Sequence, residues 1–409
     1  MKKHVKEQSI EQLSTKLLKL LESKRYSQDA LTNYRYIASR ISRFMKSRGI
    51  VHYSESAGAL FISDYIAKPP FSDPYRQRLE TVIRRLDALY NGHDYTLIRQ
   101  APEVLPPPPF AGLLAEYMKY CASIGNKAKT IIKKRKFCYD FLCLIANTGC
   151  RDISEINPKY VCAAILKISN KESYAVIRFF LRHLYENGTL STDLSGTIPR
   201  YRRDIPLPTT YTQDEIRCLE NSVNRATRTG KRDYAIILLA SRLGIRSGDI
   251  AGMTLDAIDF NRNSIGFIQN KTGRPLSLPL LPEVRDAVRD YLQHARPNVR
   301  NNYLFIRTQA PFEKISTSAI GHALGNCFKA AGIDIANKKH GPHTLRSSMA
   351  SSMVNGNIPY AVVRKALGHT DPQAIKNYAK VDIENLRVYA LEVPLPSGAF
   401  ATALQGGVC

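Results

Sequence analysis

Apolar residues recur at three- and four-residue intervals through LSTKLLKLLESK and ALTNYRYIASRISRFM, which predicts two amphipathic helices between residues 11 and 49. Ser27 suits the N-cap of the second and Gly49 its stop. Tyr75 to Tyr90, reading YRQRLETVIRRLDALY, predicts a third helix that ends at Asn91-Gly92. The stretch APEVLPPPP over 101–109 cannot continue a helix and forms a stiff, extended spacer. Beyond it the plan repeats. FAGLLAEYMKYCASIG answers the first segment, KTIIKKRKFCYDFLCLIANTG the second and YAVIRFFLRHLYENG the third. Gly149 answers Gly49 (149 − 49 = 100) and Leu184 answers Leu89 (184 − 89 = 95), so a small deletion separates two similar helical modules.

The pattern changes after a second linker, TIPRYRRDIPLPTT over 197–210. Thr212-Gln213-Asp214-Glu215 is a capping box, and the strongly apolar KRDYAIILLASRL reads as a core helix that stops at Gly244. Ser247 is expected to cap a short helix running through Met253. The period then drops to two: IDFNRNSIGFIQ and PLSLPL predict short strands around Asn270-Lys271-Thr272-Gly273, with Lys271 at the tip of the hairpin. Helices resume over Glu283 to His294 and Ser318 to Ala331. Pro342 suits a further helix start and Gly356 its end; Ile358 to Leu367 follows, with Gly368 as C-cap. Asp371 and Pro372 suit the start of a last helix carrying Tyr378. The segment LEVPLPSGAFATALQGGVC is read as a tail or a docking arm. The expected fold class is therefore mainly α: two tandem helical modules, then a mixed α/β domain with a small antiparallel sheet.

Composition sharpens this picture. A hydrophobic content of 44% supports ordinary packed cores, and 409 residues call for two or three domains. The formal net charge of +24 exceeds what solubility needs and favours a polyanionic partner. No apolar run approaches the length of a membrane helix, and nothing in MKKHVKEQSIEQL resembles a secretory signal, so a cytoplasmic location is expected and a membrane is not. The eight cysteines form no CxxC pair, which argues for reduced thiols rather than a metal or redox motif. The modules carry basic helices, with Arg84 and Arg85 in the first and Lys133, Lys134, Arg135 and Lys136 in the second. The linker adds Arg200, Arg202 and Arg203. These are candidate contacts to the DNA backbone, of the kind that positions a protein without reading sequence.

Four signals stand in order: Arg246 in GIRSGD, Lys271 in NKTG, His343 and Arg346 in HTLR, and His369 in LGH with Tyr378 nine residues on. His343 and Arg346 are three apart and share one helical face. In that order and spacing the chain resembles the tyrosine recombinases, or phage-type integrases, strongly over about 205–390 and weakly over 110–190. The resemblance implies a SAM-like core-binding module at 106–198, a catalytic domain at 205–395 and a tail at 396–409. It leaves residues 1–100 as an extra helical module. It further implies Tyr378 as nucleophile, Arg246 and Arg346 as the phosphate clamp, and His369 as a further donor to the phosphate. His343 becomes the base, Lys271 the general acid, and Asp249 an orienting group for Arg246 or His343. No metal, cofactor or ATP is then required. Double-stranded DNA is the partner, a homotetramer on synapsed sites the working form, and accessory recombination proteins further partners. The reading is a site-specific recombinase, integrase or transposase from a mobile element. The alternatives are a relaxing enzyme of the type IB topoisomerase kind and a non-catalytic DNA-binding regulator on the same frame.

Overall fold

The computed structural model describes residues 8–66, 73–93, 106–107, 110–202, 208–336 and 338–368. It divides into two compact units, Met1–Tyr95 with Leu207–Cys409, and Thr96–Pro206.

Within the first unit, four helices build the N-terminal module: α1 (Ile10–Ser23), α2 (Gln28–Ser47), α3 (Glu55–Ile66) and α4 (Asp73–Tyr90). Ser27 accepts from the Ala30 amide at the start of α2, as the sequence pattern predicts, and Ser9 and Gln12 form a capping box on α1 that the sequence reading did not pick out. Their apolar faces close on one core that includes Leu13, Leu17, Ile37, Ile41, Leu79 and Leu86. Arg85 is not a free surface charge. Its guanidinium lies over the rings of Tyr26 and Tyr34 and bonds both phenols, which makes it a packing residue of the module.

The second unit has the same helix order: α5 (Ala111–Ser123), α6 (Ala128–Ala146), α7 (Pro158–Leu166) and α8 (Ser173–Glu186). Its core pairs off with that of the first module. Phe137, Phe141 and Ile145 are buried where Ile37, Ile41 and Met45 are buried, 100 residues earlier. Tyr174, Ile177, Leu181 and Leu184 occupy the places of Leu79, Val82, Leu86 and Leu89, 95 residues earlier. The repeat read in the sequence is thus a repeat of fold. Each module also holds a third helix that the periodicity did not predict. In α3 the apolar residues of ESAGALFISDYI fall on most sides and leave no stripe to read. Helix α7 has only nine residues, yet it had a start signal in Asn157, which accepts from the Lys159 and Tyr160 amides, and in Pro158.

The remainder of the first unit is built around α10 (Arg228–Ser241), of which Ala235 to Ser241 are all buried. A helix apolar on every side belongs at the centre of a core. Preceded by α9 (Gln213–Asn221), which carries the expected Thr212–Glu215 capping box, α10 packs against α12 (Pro282–His294), α13 (Thr317–Ala330) and α14 (Pro342–Asn355). A three-stranded antiparallel sheet flanks this core: β1 (Ile258–Asp259), β2 (Ser264–Ile268) and β3 (Pro275–Pro279), in the order β1-β2-β3, with buried Ile265 opposite Leu278. Short α11 (Ser247–Gly252) begins one residue earlier than a Ser247 cap would allow: Arg246 is the N-cap and Ser247 already helical. Helix α15 (Tyr360–Leu367) packs on α14 through Ala350, Val354, Val363 and Leu367. The mainly α fold class with a small antiparallel sheet is as expected. The proline spacer falls largely, and the predicted helix at Asp371 and the C-terminal segment wholly, outside the described residues.

The N-terminal module contains a titratable lock. Tyr53 Oη donates to Asp87 Oδ1 at 2.8 Å, and burial pushes the Asp87 carboxyl up to about 6, with Glu55 adding to the rise and Tyr53 opposing it. The folded pKa lies above the ordinary value of 3.8, so this group's contribution to stability is full below that value and lost as pH rises through about 6. Asp87→Asn keeps an acceptor for Tyr53 and removes the charge. It is expected to raise the melting temperature at pH 8, with the gain fading as pH falls toward 4. A gain that is the same at both pH values contradicts the assignment.

Candidate active site

Arg346 lies on the buried side of α14 and is only 2% exposed. Its Nη1 donates to the Gly244 carbonyl at 2.5 Å and its Nη2 to the Leu367 carbonyl at 2.7 Å. One guanidinium therefore ties together three places: the corner after α10, the second turn of α14 and the end of α15. Both corners are glycines in the left-handed region, Gly244 at φ +60 and Gly368 at φ +59. A Cβ on Gly244 would lie 2.7 Å from Met349 Sδ and 3.0 Å from Leu367 Cδ2. A side chain there would have to displace those two side-chain ends and would sit in a left-handed backbone conformation that favours glycine.

Arg246 enters from the start of α11, two residues past the Gly244 corner. Upstream, the end of α10 is fixed by buried Glu220, whose carboxylate takes both Arg242 Nη2 at 2.6 Å and Nε at 3.0 Å, and Ser241 Oγ at 2.7 Å. Asp249 is 5% exposed and sits one turn after Arg246, with its Oδ2 3.9 Å from Arg246 Nη1. Its Oδ1 accepts from the Asn270 amide at 2.7 Å. Asp249 thus anchors the turn that carries Lys271 and places a negative charge near Arg246 without hydrogen-bonding it. Between the expected alternatives, the contacts favour Arg246 over His343.

Lys271 stands at the tip of the β2–β3 hairpin, as expected. The turn closes through the Gln269 amide on the Arg274 carbonyl and the Gly273 amide on the Gln269 carbonyl, both at 2.8 Å. Gln269 itself is 2% exposed and lies between the two arginine-bearing segments. In the amide orientation that satisfies all its neighbours, its oxygen accepts from Arg246 Nη1 at 3.0 Å. Its nitrogen donates to Thr272 Oγ1 at 2.9 Å and to the Gly368 carbonyl at 3.0 Å. Sequence reasoning passed over Gln269. A lone glutamine after an alternating strand carries no signal of burial until the Gly368 corner is seen beside it.

His343 lies one turn before Arg346 and is solvent-exposed. Its imidazole is held below the ordinary value of 6.5. The main cause is water displaced by the surrounding protein; the charges of Arg346, Arg246, Lys271 and Lys339 add to it. The neutral ring is thereby favoured near neutral pH, the state a general base requires. The structure thus brings Arg246, Asp249, Lys271, His343 and Arg346 to one region. His369 and Tyr378 lie outside the described residues, immediately beyond Gly368 in the chain.

The predicted DNA contacts fare differently. Lys133 pairs with Glu172 at 3.3 Å and Lys136 with Asp140 at 3.1 Å, within the second unit. Exposed pairs of this kind are weak and can yield to a phosphate. Arg200 and Arg202 are exposed in a linker whose first residues are held by Arg178 Nη2 on the Ile198 and Pro199 carbonyls, at 3.2 and 2.7 Å. Arg203 is outside the described residues.

The model of the phage integrase family matches residues 210–385, a range that includes every one of the site residues. The putative integrase/recombinase y4gC of Sinorhizobium fredii is 31% identical over 189 residues, covering 46% of this chain and 97% of that protein. The chain belongs to the phage integrase family, the tyrosine recombinases. A second relative from the same organism, the putative integrase/recombinase y4rA, is 32% identical over 277 residues; the match spans 65% of this tyrosine recombinase and 66% of that relative's length. The fold is also that of a lambda integrase dimer bound to a COC' core site, with TM-score 0.52, 18% identity and coverage of 70% of this chain and 99% of that one. The Tn1549 transposon integrase in complex with circular intermediate DNA gives 0.51, 14% identity, and 68% and 98% coverage.

The depressed imidazole can be tested directly. In the free recombinase, the His343 ring is expected to titrate below 6.5, and to move up in Arg246→Gln, which removes one of the opposing charges. Histidine-ring NMR measures both. A midpoint at or above the ordinary value, or one unmoved by the substitution, contradicts this electrostatic account.

Proposed function

We propose that this tyrosine recombinase is a site-specific DNA recombinase, an integrase or transposase, which cuts and rejoins strands through a 3′-phosphotyrosine on Tyr378. The observation that carries this reading is the convergence of Arg246, Arg346, Lys271 and His343 on one corner of the catalytic fold. Tyr378 Oη attacks the scissile phosphorus, and its proton passes to neutral His343. The bond to the 5′ oxygen breaks, and that oxygen takes a proton from Lys271. One phosphodiester replaces another, so the step is close to thermoneutral and needs no ATP. Negative charge on the non-bridging oxygens is met by the Arg246 and Arg346 guanidiniums, with His369 as a further donor. In this scheme the guanidiniums meet charge that a nuclease commonly meets with divalent ions.

Double-stranded DNA is the substrate, and strand exchange between two sites calls for an assembly of four protomers, with accessory recombination proteins as further partners. Residues 106–198 serve as the core-binding module and 205–395 as the catalytic domain. Residues 1–100 stand as an extra helical module of the same build. The basic side chains Lys133, Lys134, Arg135, Lys136, Arg200, Arg202 and Arg203 provide backbone contacts. The excess positive charge, the membership of the family and the absence of a membrane-length apolar helix among the described residues all support a DNA-acting protein.

Tyr378→Phe is expected to abolish the covalent adduct on a nicked suicide duplex while leaving DNA binding intact. An adduct of undiminished yield would mean that another residue attacks. Wild-type protein should form the adduct in EDTA, and product strands should have changed partners; a change in linking number alone would instead indicate a relaxing enzyme. Binding should weaken steeply with salt, by about 0.9 log units per phosphate contact for each log unit of salt. Charge-neutralising substitutions at Lys133, Lys134, Arg200 and Arg202 should each flatten that slope, and an unchanged slope removes the residue from the interface.

A further inference from the structure

We infer that Gln269 is a positioning residue for strand cleavage, coupling the Arg246 guanidinium and the Lys271 turn to the Gly368 corner that leads into the segment carrying His369 and Tyr378. The inference rests on the proposed recombinase chemistry and goes beyond it, because Gln269 is buried and its hydrogen bonds are to protein groups.

Three features carry it. First, Gln269 is nearly inaccessible, and a buried primary amide is costly unless its donors and acceptor are matched. Here the match is made to Arg246 Nη1, Thr272 Oγ1 and the Gly368 carbonyl, all within 3.0 Å. Second, each partner belongs to a different functional segment: the first arginine, the lysine-bearing turn and the end of α15. Third, the backbone has been shaped to receive the amide. A Cβ on Gly368 would lie 2.3 Å from one terminal atom of Gln269 and 2.9 Å from its Cδ, so the corner takes its left-handed form directly against this side chain. Arg346 grips the same corner through the neighbouring Leu367 carbonyl at 2.7 Å. The two arginines are therefore not placed independently. Gln269 fixes the position of Arg246 relative to the corner that Arg346 holds, and a neutral amide does so without cancelling the arginine's charge.

The test uses the full chain and a suicide duplex, with two variants. Gln269→Met removes all three hydrogen bonds at similar volume. Gln269→Glu keeps an acceptor for Arg246 but pairs its charge and sets a carboxylate oxygen against the Gly368 carbonyl. Both are expected to bind the duplex as wild type does and to form the Tyr378 adduct more slowly, by about tenfold to a hundredfold, the usual cost of losing a group that orients a reacting one. The deciding measurement repeats the assay with a neutral methylphosphonate at the scissile position. That linkage lacks the charge Arg246 is placed to meet, so the ratio of wild-type to variant rates should shrink toward one. A ratio equal on both substrates means that Gln269 only holds the fold together and overturns the inference. So do variant rates equal to wild type on the ordinary phosphate. If Gln269→Met fails to fold, Gln269→Glu alone gives the same comparison. Wild-type protein that forms no adduct sinks the recombinase reading together with this one; a normal wild-type adduct with unaffected variants sinks only this one.

Discussion

The catalytic fold hangs on the Arg346 guanidinium. It is buried, and its hydrogen bonds reach the carbonyl that ends the α10 corner and the carbonyl that ends α15. Hydrogen bonds from a charged donor contribute roughly 1.5–3 kcal/mol each. Withdrawing a guanidinium from water costs several kcal/mol. The arrangement is therefore close to balanced as a stabilising device, and its value lies in position. Carbonyl acceptors fix the plane of the guanidinium without bringing a negative charge of their own, as a buried carboxylate would. Compare Arg242, whose fork is closed on Glu220. That pair serves structure alone, holding the end of α10 so that the Gly244 corner starts from a fixed place.

The same economy of negative charge runs through the rest of the site. The carboxylate nearest Arg246 is Asp249, but it stands off at 3.9 Å, and its Oδ2 has no hydrogen-bond partner among the described residues. Its other oxygen is spent on the backbone of the Lys271 turn. Four cationic groups act on His343 in consequence, and each makes a further proton on its ring less favourable. Such a cluster repels itself when empty. An anion entering it would relieve that repulsion, as the proposed phosphate would. Under the proposed chemistry, such a site would hold a diester with a neutral imidazole beside it, which a carboxylate-rich pocket would oppose.

Much of this could be read from the chain. Caps at Ser27 and Thr212, the proline at 342, the glycine at 368 and the switch to a period of two around Lys271 all rest on local chemistry, and local chemistry is what a sequence displays. The candidate site residues stand out in the sequence because their order and spacing are jointly improbable, although each alone is commonplace. What stayed hidden depends on contacts distant in sequence. Gln269 meets Gly368 across 99 positions (368 − 269 = 99), and nothing near either residue announces the other. Arg85 looked like a surface charge until Tyr26 and Tyr34 were found around it. Helix α3 stayed hidden for a different reason, since apolar residues on most of its sides leave no stripe for a periodicity test to find.

The two helical modules show how one frame can be put to different uses. Their cores correspond position by position, yet their charges do not. The basic run of α6, Lys133 to Lys136, stands where α2 has Asn33, Tyr34, Arg35 and Tyr36. Conversely, α2 carries Arg40, Arg43 and Lys46 where α6 has Asp140, Cys143 and Ala146. In α2 one of those arginines, Arg40, is held by aromatic neighbours, lying over the Tyr36 and Tyr75 rings and bonding the Tyr75 hydroxyl at 2.8 Å. Core positions tolerate little change because a shared packing must be kept, whereas surface charge can migrate along a helix at almost no cost in stability. Two copies with one interior and different exteriors therefore cannot present the same contacts to a duplex. The basic positions of α2 lie mostly in its C-terminal half and those of α6 in its N-terminal half, so the two modules carry dissimilar charged faces on one shared interior.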